Sequence, residues 1–167
     1  MIKTAQKNTI YNIAFWAVFL CLAFTLSGCK DKAEEEGDVK LYPLQITHTQ
    51  SPEQPPIEFM VERAVTPEEQ EVGLMNRALM ADDHGMIFVY AVPARPYFWM
   101  KNTLIPLDML FINFDGVIVN IHKNAQPHDL TPIDSGSAVR AVLEINAGLS
   151  DKYGIQLGDK IVFNDYK

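Results

Sequence analysis

Beyond residue 29 the chain contains no cysteine. That excludes a disulfide-stapled scaffold and a thiol nucleophile for whatever folds after it. The local patterns of common hydrolases and nucleotide enzymes are also missing. There is no Gly-x-Ser-x-Gly turn, no His-Glu-x-x-His helix and no Gly-rich loop ending in Gly-Lys-Ser/Thr. Bases are scarce, with 14 Lys and Arg against 21 Asp and Glu. A chain of that sign lacks the basic footprint of nucleic-acid binders, and anionic head groups do not attract it. No long apolar run recurs after Leu26.

The N-terminal region carries the clearest signal. Lys3 and Lys7 precede a nearly unbroken apolar run from Ile10 to Leu26, the order of a secretory signal. Its 17 residues fall short of the roughly 20 that span a bilayer comfortably. The run ends in Leu26-Ser27-Gly28-Cys29, which resembles a bacterial lipobox. The expected product is a chain cut before Cys29, acylated on that thiol and held at the extracytoplasmic face of a membrane. Each buried acyl methylene contributes about 0.8 kcal/mol, so two chains anchor stably. Lys30, where inner-membrane lipoproteins often have Asp, leans toward the outer membrane. The competing reading is an uncleaved anchor helix with an incidental Cys29. Cleavage would leave 12 bases against 21 acids, a net charge of −9.

Three regions are expected: a signal at 1–28, a lipidated cysteine and acidic, proline-bearing tether at 29–56, and a β domain at 57–167. In the tether, Leu41-Tyr42-Pro43-Leu44 is the one apolar patch, expected to dock loosely. Ile57, Phe59 and Val61 then alternate with Glu58 and Glu62, a period-two strand. Thr66-Pro67-Glu68-Glu69 has the form of a capping box with proline at the first helical position. It opens a short helix to about Met75, with Val72, Met75 and Leu79 on its inner side. Further strands are expected at Met86–Tyr90, Tyr97–Met100, Leu107–Ile112, Val117–His122, Ala138–Ile145 and Lys160–Phe163. Asn113-Phe114-Asp115-Gly116 forms a hairpin loop, 123–136 a long loop, and Leu149–Tyr153 a helical turn. Many short strands with two helical pieces imply a mainly β sandwich or partly open barrel.

Several blocks together resemble a known family: Thr66-Pro67-Glu68-Glu69 with Gly73-Leu74-Met75; Gly85-Met86-Ile87-Phe88; the long run Phe98-Trp99-Met100-Lys101-Asn102-Thr103-Leu104-Ile105-Pro106-Leu107-Asp108; Val142-Leu143-Glu144-Ile145 with Gly148; and Gly154-Ile155 with Gly158-Asp159. This pattern is similar to domain-of-unknown-function family 192, over about Ile57 to Phe163. The resemblance implies a small jelly-roll-like β-sandwich and no established activity.

The long block is where a ligand pocket is expected, because large aromatics run directly into polar groups. Trp99 can stack on a ring, Lys101 can hold a carboxylate or phosphate, and Asn102 and Asp108 can fix hydroxyls. Arg140 and Glu144 lie about 13 Å apart along one strand. Glu144 is therefore expected to pair with Lys101 or Arg77. The opposing reading makes Trp99 core and the polar groups scaffold.

The favoured function is a non-enzymatic envelope module binding a small polar ligand or an envelope partner, with no cofactor. Two alternatives remain. Asp108 and Glu144 can serve as acid and base on a glycan. Met75, Met80, His84 and Met86 form a thioether–imidazole set suited to Cu(I). His122 with His128 and Asp129 is a weaker Zn²⁺ constellation. The anchor has a direct test: a Cys29→Ala chain should remain folded but leave the membrane fraction on cell fractionation, whereas retention there would favour the uncleaved helix.

Overall fold

Alternating apolar side chains bury one face of a strand, and continuous apolar runs bury both. This chain uses each kind in a different part of one sheet. The computed structural model describes residues 39–163. Cys29, the signal and the first part of the tether lie outside the described residues. The strands in chain order are β1 (Tyr42–Thr47), β2 (Ile57–Ala64), β3 (His84–Ala94), β4 (Tyr97–Phe98), β5 (Leu107–Ile112), β6 (Ile118–Ala125), β7 (Ile133–Asp134), β8 (Val139–Asn146) and β9 (Lys160–Phe163). Helix α1 (Pro67–Val72) lies between β2 and β3, and α2 (Leu149–Lys152) follows β8.

Seven strands form a curled sheet in the order β6-β5-β8-β3-β2-β1-β9, and β4 and β7 make a separate two-stranded ribbon. β2 and β3 pair in parallel, so the segment carrying α1 is the crossover between them; the other pairings are antiparallel. The edges approach at one end, where Val117 bridges Lys160 and Ile161 N–H donates to the Gly116 carbonyl at 2.7 Å. Gly116 permits this contact, since a Cβ there would lie 2.8 Å from the Ile161 carbonyl oxygen. The result is a half-barrel, the partly open arm of the expected architecture.

The concave face carries the main core: Leu44, Ile46, Phe59, Val61, Ile87, Leu110, Leu143, Ile145 and Ile161 among others. Each such side chain contributes about 2 kcal/mol on burial. A second core lies on the opposite face of β3, β8 and β5, built on Met86, Phe88, Met109, Phe111 and Val142 and closed by Leu74, Met100 and Ile105. Phe98 sits edge-on between Phe88 (5.1 Å) and Phe111 (6.0 Å), fastening the outer ribbon to the sheet.

Several local readings change, and the loop expected over 123–136 holds the end of β6 and the whole of β7. The stretch read as tether to Pro56 contains β1, which is flanked by β2 and β9 and turns Leu44 and Ile46 into the core. Pro43 fits because its register partner on β2 is Met60, while pairing with β9 runs over Leu44–Thr47. The capping box forms as expected, but α1 stops at Val72 with no buried residue. Val72 and Leu79 are exposed, and Leu74 is the residue that turns inward. The strand expected over Tyr97–Met100 spans only Tyr97–Phe98, because the chain then turns to place Met100 in the outer core.

Gly85 gives this packing a direct test. A Cβ at Gly85 would lie 2.6 Å from the Glu144 carbonyl oxygen and 3.2 Å from Ile145 Cγ2. Gly85→Ala should lower unfolding stability by about 1–3 kcal/mol in denaturant melts, the usual range for overpacking.

A buried carboxyl beneath an aromatic cleft

Pairing across the outer face sets Glu62, Met86, Glu144, Met109 and His122 in one rung, one residue from each of β2, β3, β8, β5 and β6. Glu144 therefore stands between two buried methionines. Its carboxyl is desolvated, and burial pushes its pKa up to about 8. Among the described residues no donor bonds it and no cation faces it. Tyr90, on the same face of β3, has its phenol held above the usual range by burial and then by the Glu144 charge.

Above this carboxyl is a cleft of about 400 Å³. Gln70 and Glu71 of α1 and the following Leu74 form one wall; Tyr97, Phe98 and Trp99 form the other. Phe88, Tyr90 and Glu144 are supplied by the sheet, and Thr103 lines it as well. The Thr66–Glu69 capping box sets the start of α1. Gln70 ties the helix to the sheet by donating to the Val89 carbonyl at 3.0 Å. Hydrogen bonds from the Thr66 and Val65 amides hold the exposed Glu69 carboxyl below its ordinary range.

The candidate residues separate. Trp99 and Glu144 line the same cleft, with Trp99 48 % exposed at its mouth. Lys101 lies with its Nζ 5.0 Å from the centroid of the Trp99 ring and is not bonded to Glu144. Asn102 adopts φ 54°, and its carbonyl accepts from Asn76 N–H at 2.8 Å, so it shapes the loop. Arg77 holds Glu62 bidentately, with Nη2 at 2.8 Å, and Met86 stands between that pair and Glu144 in the rung. The expected partners of Glu144 are thus engaged elsewhere.

Asp108 is scaffold. Its register partner is Ile145, so it faces the concave core while Glu144 faces outward. Its oxygens accept from Asn124 N–H at 2.8 Å, Ser150 N–H at 3.0 Å and Gly148 N–H at 3.1 Å. The acid–base pairing of Asp108 with Glu144 fails on this geometry, because the sheet separates the two carboxyls.

Of the copper set, Met86 is buried in the outer core and Met80 packs against it. Met75 lines the cleft, its sulfur 4.0 Å from Asn102 Nδ2, and the His84 ring lies 2.8 Å from Asp83. His122 and Asp129 line a different, smaller cleft, and His128 is exposed. Among the described residues no three His, Cys, Asp or Glu are grouped to hold a metal. Tyr90, Phe88, Gln70 and Thr103 escape a linear reading, since only the sheet register brings them to Glu144.

The profile of domain-of-unknown-function family 192, described as an uncharacterized conserved family, matches residues 47–163. The chain belongs to this family. A crystal structure from Sinorhizobium meliloti 1021, provisionally named a transcription regulator, is 41 % identical with a TM-score of 0.72, covering 77 % of this chain and 97 % of that one. A protein of unknown function from Novosphingobium aromaticivorans DSM 12444 is 40 % identical, also with a TM-score of 0.72, covering 77 % and 89 %. No curated protein matches significantly.

The buried acid has a thermodynamic signature. Its folded pKa, about 8, lies above the ordinary 4.5, so the folded state binds more protons between those values. Stability should then fall as pH rises from about 4.5 to about 8, by up to about 1.4 kcal/mol per unit, and level off above. Denaturant melts across that window should show the slope in the native chain and its loss in Glu144→Gln.

Proposed function

We propose that this member of the family is an envelope-tethered binding module, anchored through acylated Cys29, whose outer cleft takes a small organic ligand. One observation carries the reading: Glu144 is a buried acid with no partner among the described residues, at the floor of an open cleft. Leaving a buried polar group unmatched costs stability, and such groups ordinarily find bonds. The two other buried acids on the sheet and its connections follow that rule. Asp108 accepts three backbone amides, and Asp159 is bonded by the Thr49 and Gln156 amides and lies 3.1 Å from the His48 ring. A ligand group completes Glu144 as the protein completes the others.

The aromatic wall supports the same reading, since a half-exposed Trp99 beside Tyr97 offers flat apolar contact at the mouth. Binding, rather than catalysis, accounts for the residues around the acid, which are methionines and aromatic rings, with Tyr90 close enough to feel its charge. The regulator name of the S. meliloti relative is not carried over, because acids outnumber bases in this chain.

Thermal melts with small-molecule fractions of an envelope extract test this. A fraction that raises the Tm of the purified full-length chain should raise that of Trp99→Ala much less, by mass action. Trp99→Ala itself should melt close to the parent because the ring is half exposed. Equal shifts in both proteins, or no shift with any fraction, would refute the cleft as a binding site.

A further inference from the structure

The charge of the ligand follows from which side chains line the cleft and which do not. Fifteen of the described residues line it, and none of these is Lys, Arg or His. Two are acids, Glu144 at the floor and Glu71 on α1, and five are aromatic: Phe88, Tyr90, Tyr97, Phe98 and Trp99. The two cations expected to pair with Glu144 are held elsewhere, Arg77 on Glu62 and Lys101 over the Trp99 ring. An anionic or carboxylate-bearing ligand would meet a carboxyl with no counter-charge. Aromatic faces together with a carboxyl are the surroundings that favour an ammonium group.

Resting on the cleft as a binding site, we propose that its ligand is an organic amine: a protonated primary or secondary ammonium group on a flat apolar body. The nitrogen sits against the Glu144 carboxylate and the body lies along the Tyr97–Trp99 wall.

Binding is then coupled to a proton. In the empty cleft at neutral pH the Glu144 carboxyl carries its proton, since it half-titrates at about 8. When the ammonium arrives, the O–H bond of Glu144 breaks, the proton passes to solvent, and a carboxylate–ammonium pair remains. Among the described residues, the groups lining the cleft with Glu144 bring no positive charge to it. Tyr90 of β3 and Tyr97 of β4 are phenols, Glu71 is the acid contributed by α1, and Gln70 is neutral and engaged with backbone. Within the rung, the Glu62–Arg77 pair lies beyond Met86, and His122 lies beyond Met109.

Three probes of one shape separate the outcomes: phenethylamine, phenethyl alcohol and phenylacetate, measured by calorimetry on the full-length chain. Phenethylamine should bind about tenfold or more tighter than the alcohol, a difference of roughly 1.4 kcal/mol. Phenylacetate should bind weakest. At pH 7, titrations in buffers of different ionisation enthalpy should report close to one proton released per amine bound. That release should fade, and amine affinity should level off, as pH rises through about 8. Glu144→Gln should lose both the preference for amine over alcohol and the proton release.

If the alcohol binds as tightly as the amine, the ammonium inference fails while the cleft stands. Tightest binding by phenylacetate, or proton release persisting in Glu144→Gln, overturns it equally. If none of the three binds, the ammonium inference fails, and the binding role of the cleft is decided by the extract melts with Trp99→Ala.

Discussion

The organisation of this protein depends on strands β3, β8 and β5 being covered on both faces. A half-barrel ordinarily keeps one packed face and one wet face. Here the crossover after β2 and the Tyr97–Ile105 segment lie over the convex side, where Phe98 wedges between Phe88 and Phe111. This second layer makes every residue of β5 buried, and it also removes Glu144 from water. The cleft is what remains open between the two parts of that layer.

Two carboxyls on adjacent strands show how much one residue of register decides. Asp108 and Glu144 are offset by a single position in the β5–β8 ladder, and that offset sends them to opposite faces. Asp108 meets a cluster of amide donors where the chain turns into α2 and where Asn124 takes a left-handed conformation. It works as an organiser of loops. Glu144 meets two methionine side chains and an opening. The same chemical group is a fully bonded structural element in one place and an unmatched, mostly protonated acid in the other.

A linear reading recovered local features because their causes are local. The capping box needs only Thr66, Pro67 and Glu69, and the period-two strand of β2 needs only Ile57, Phe59 and Val61. Loop geometry at Asn113–Gly116 is likewise local, with the Asn113 side chain accepting from the Asp115 and Val117 amides. Misreadings occurred where burial is conferred from far along the chain. β1 resembles tether because, beyond its neighbour β2, its other partner β9 lies more than 100 residues away. Glu144 invited a salt bridge because nothing near it in sequence reveals that Met86 and Met109 will flank it.

The sequence by itself determined the mainly β class and the family, and it raised the expectations of export and anchoring at Cys29 and of a pocket at the Phe98–Asp108 block. These rest on composition, periodicity and short motifs, which act within a few residues. Only the tertiary structure decided the division of labour inside that block, with Trp99 at the mouth of a cleft and Asp108 bonded to backbone on the other face. It alone decided that Glu144 has no partner among the described residues. Solvation and pairing of a charge are properties of the space around it, and strand register assembles that space from five separate segments of the chain.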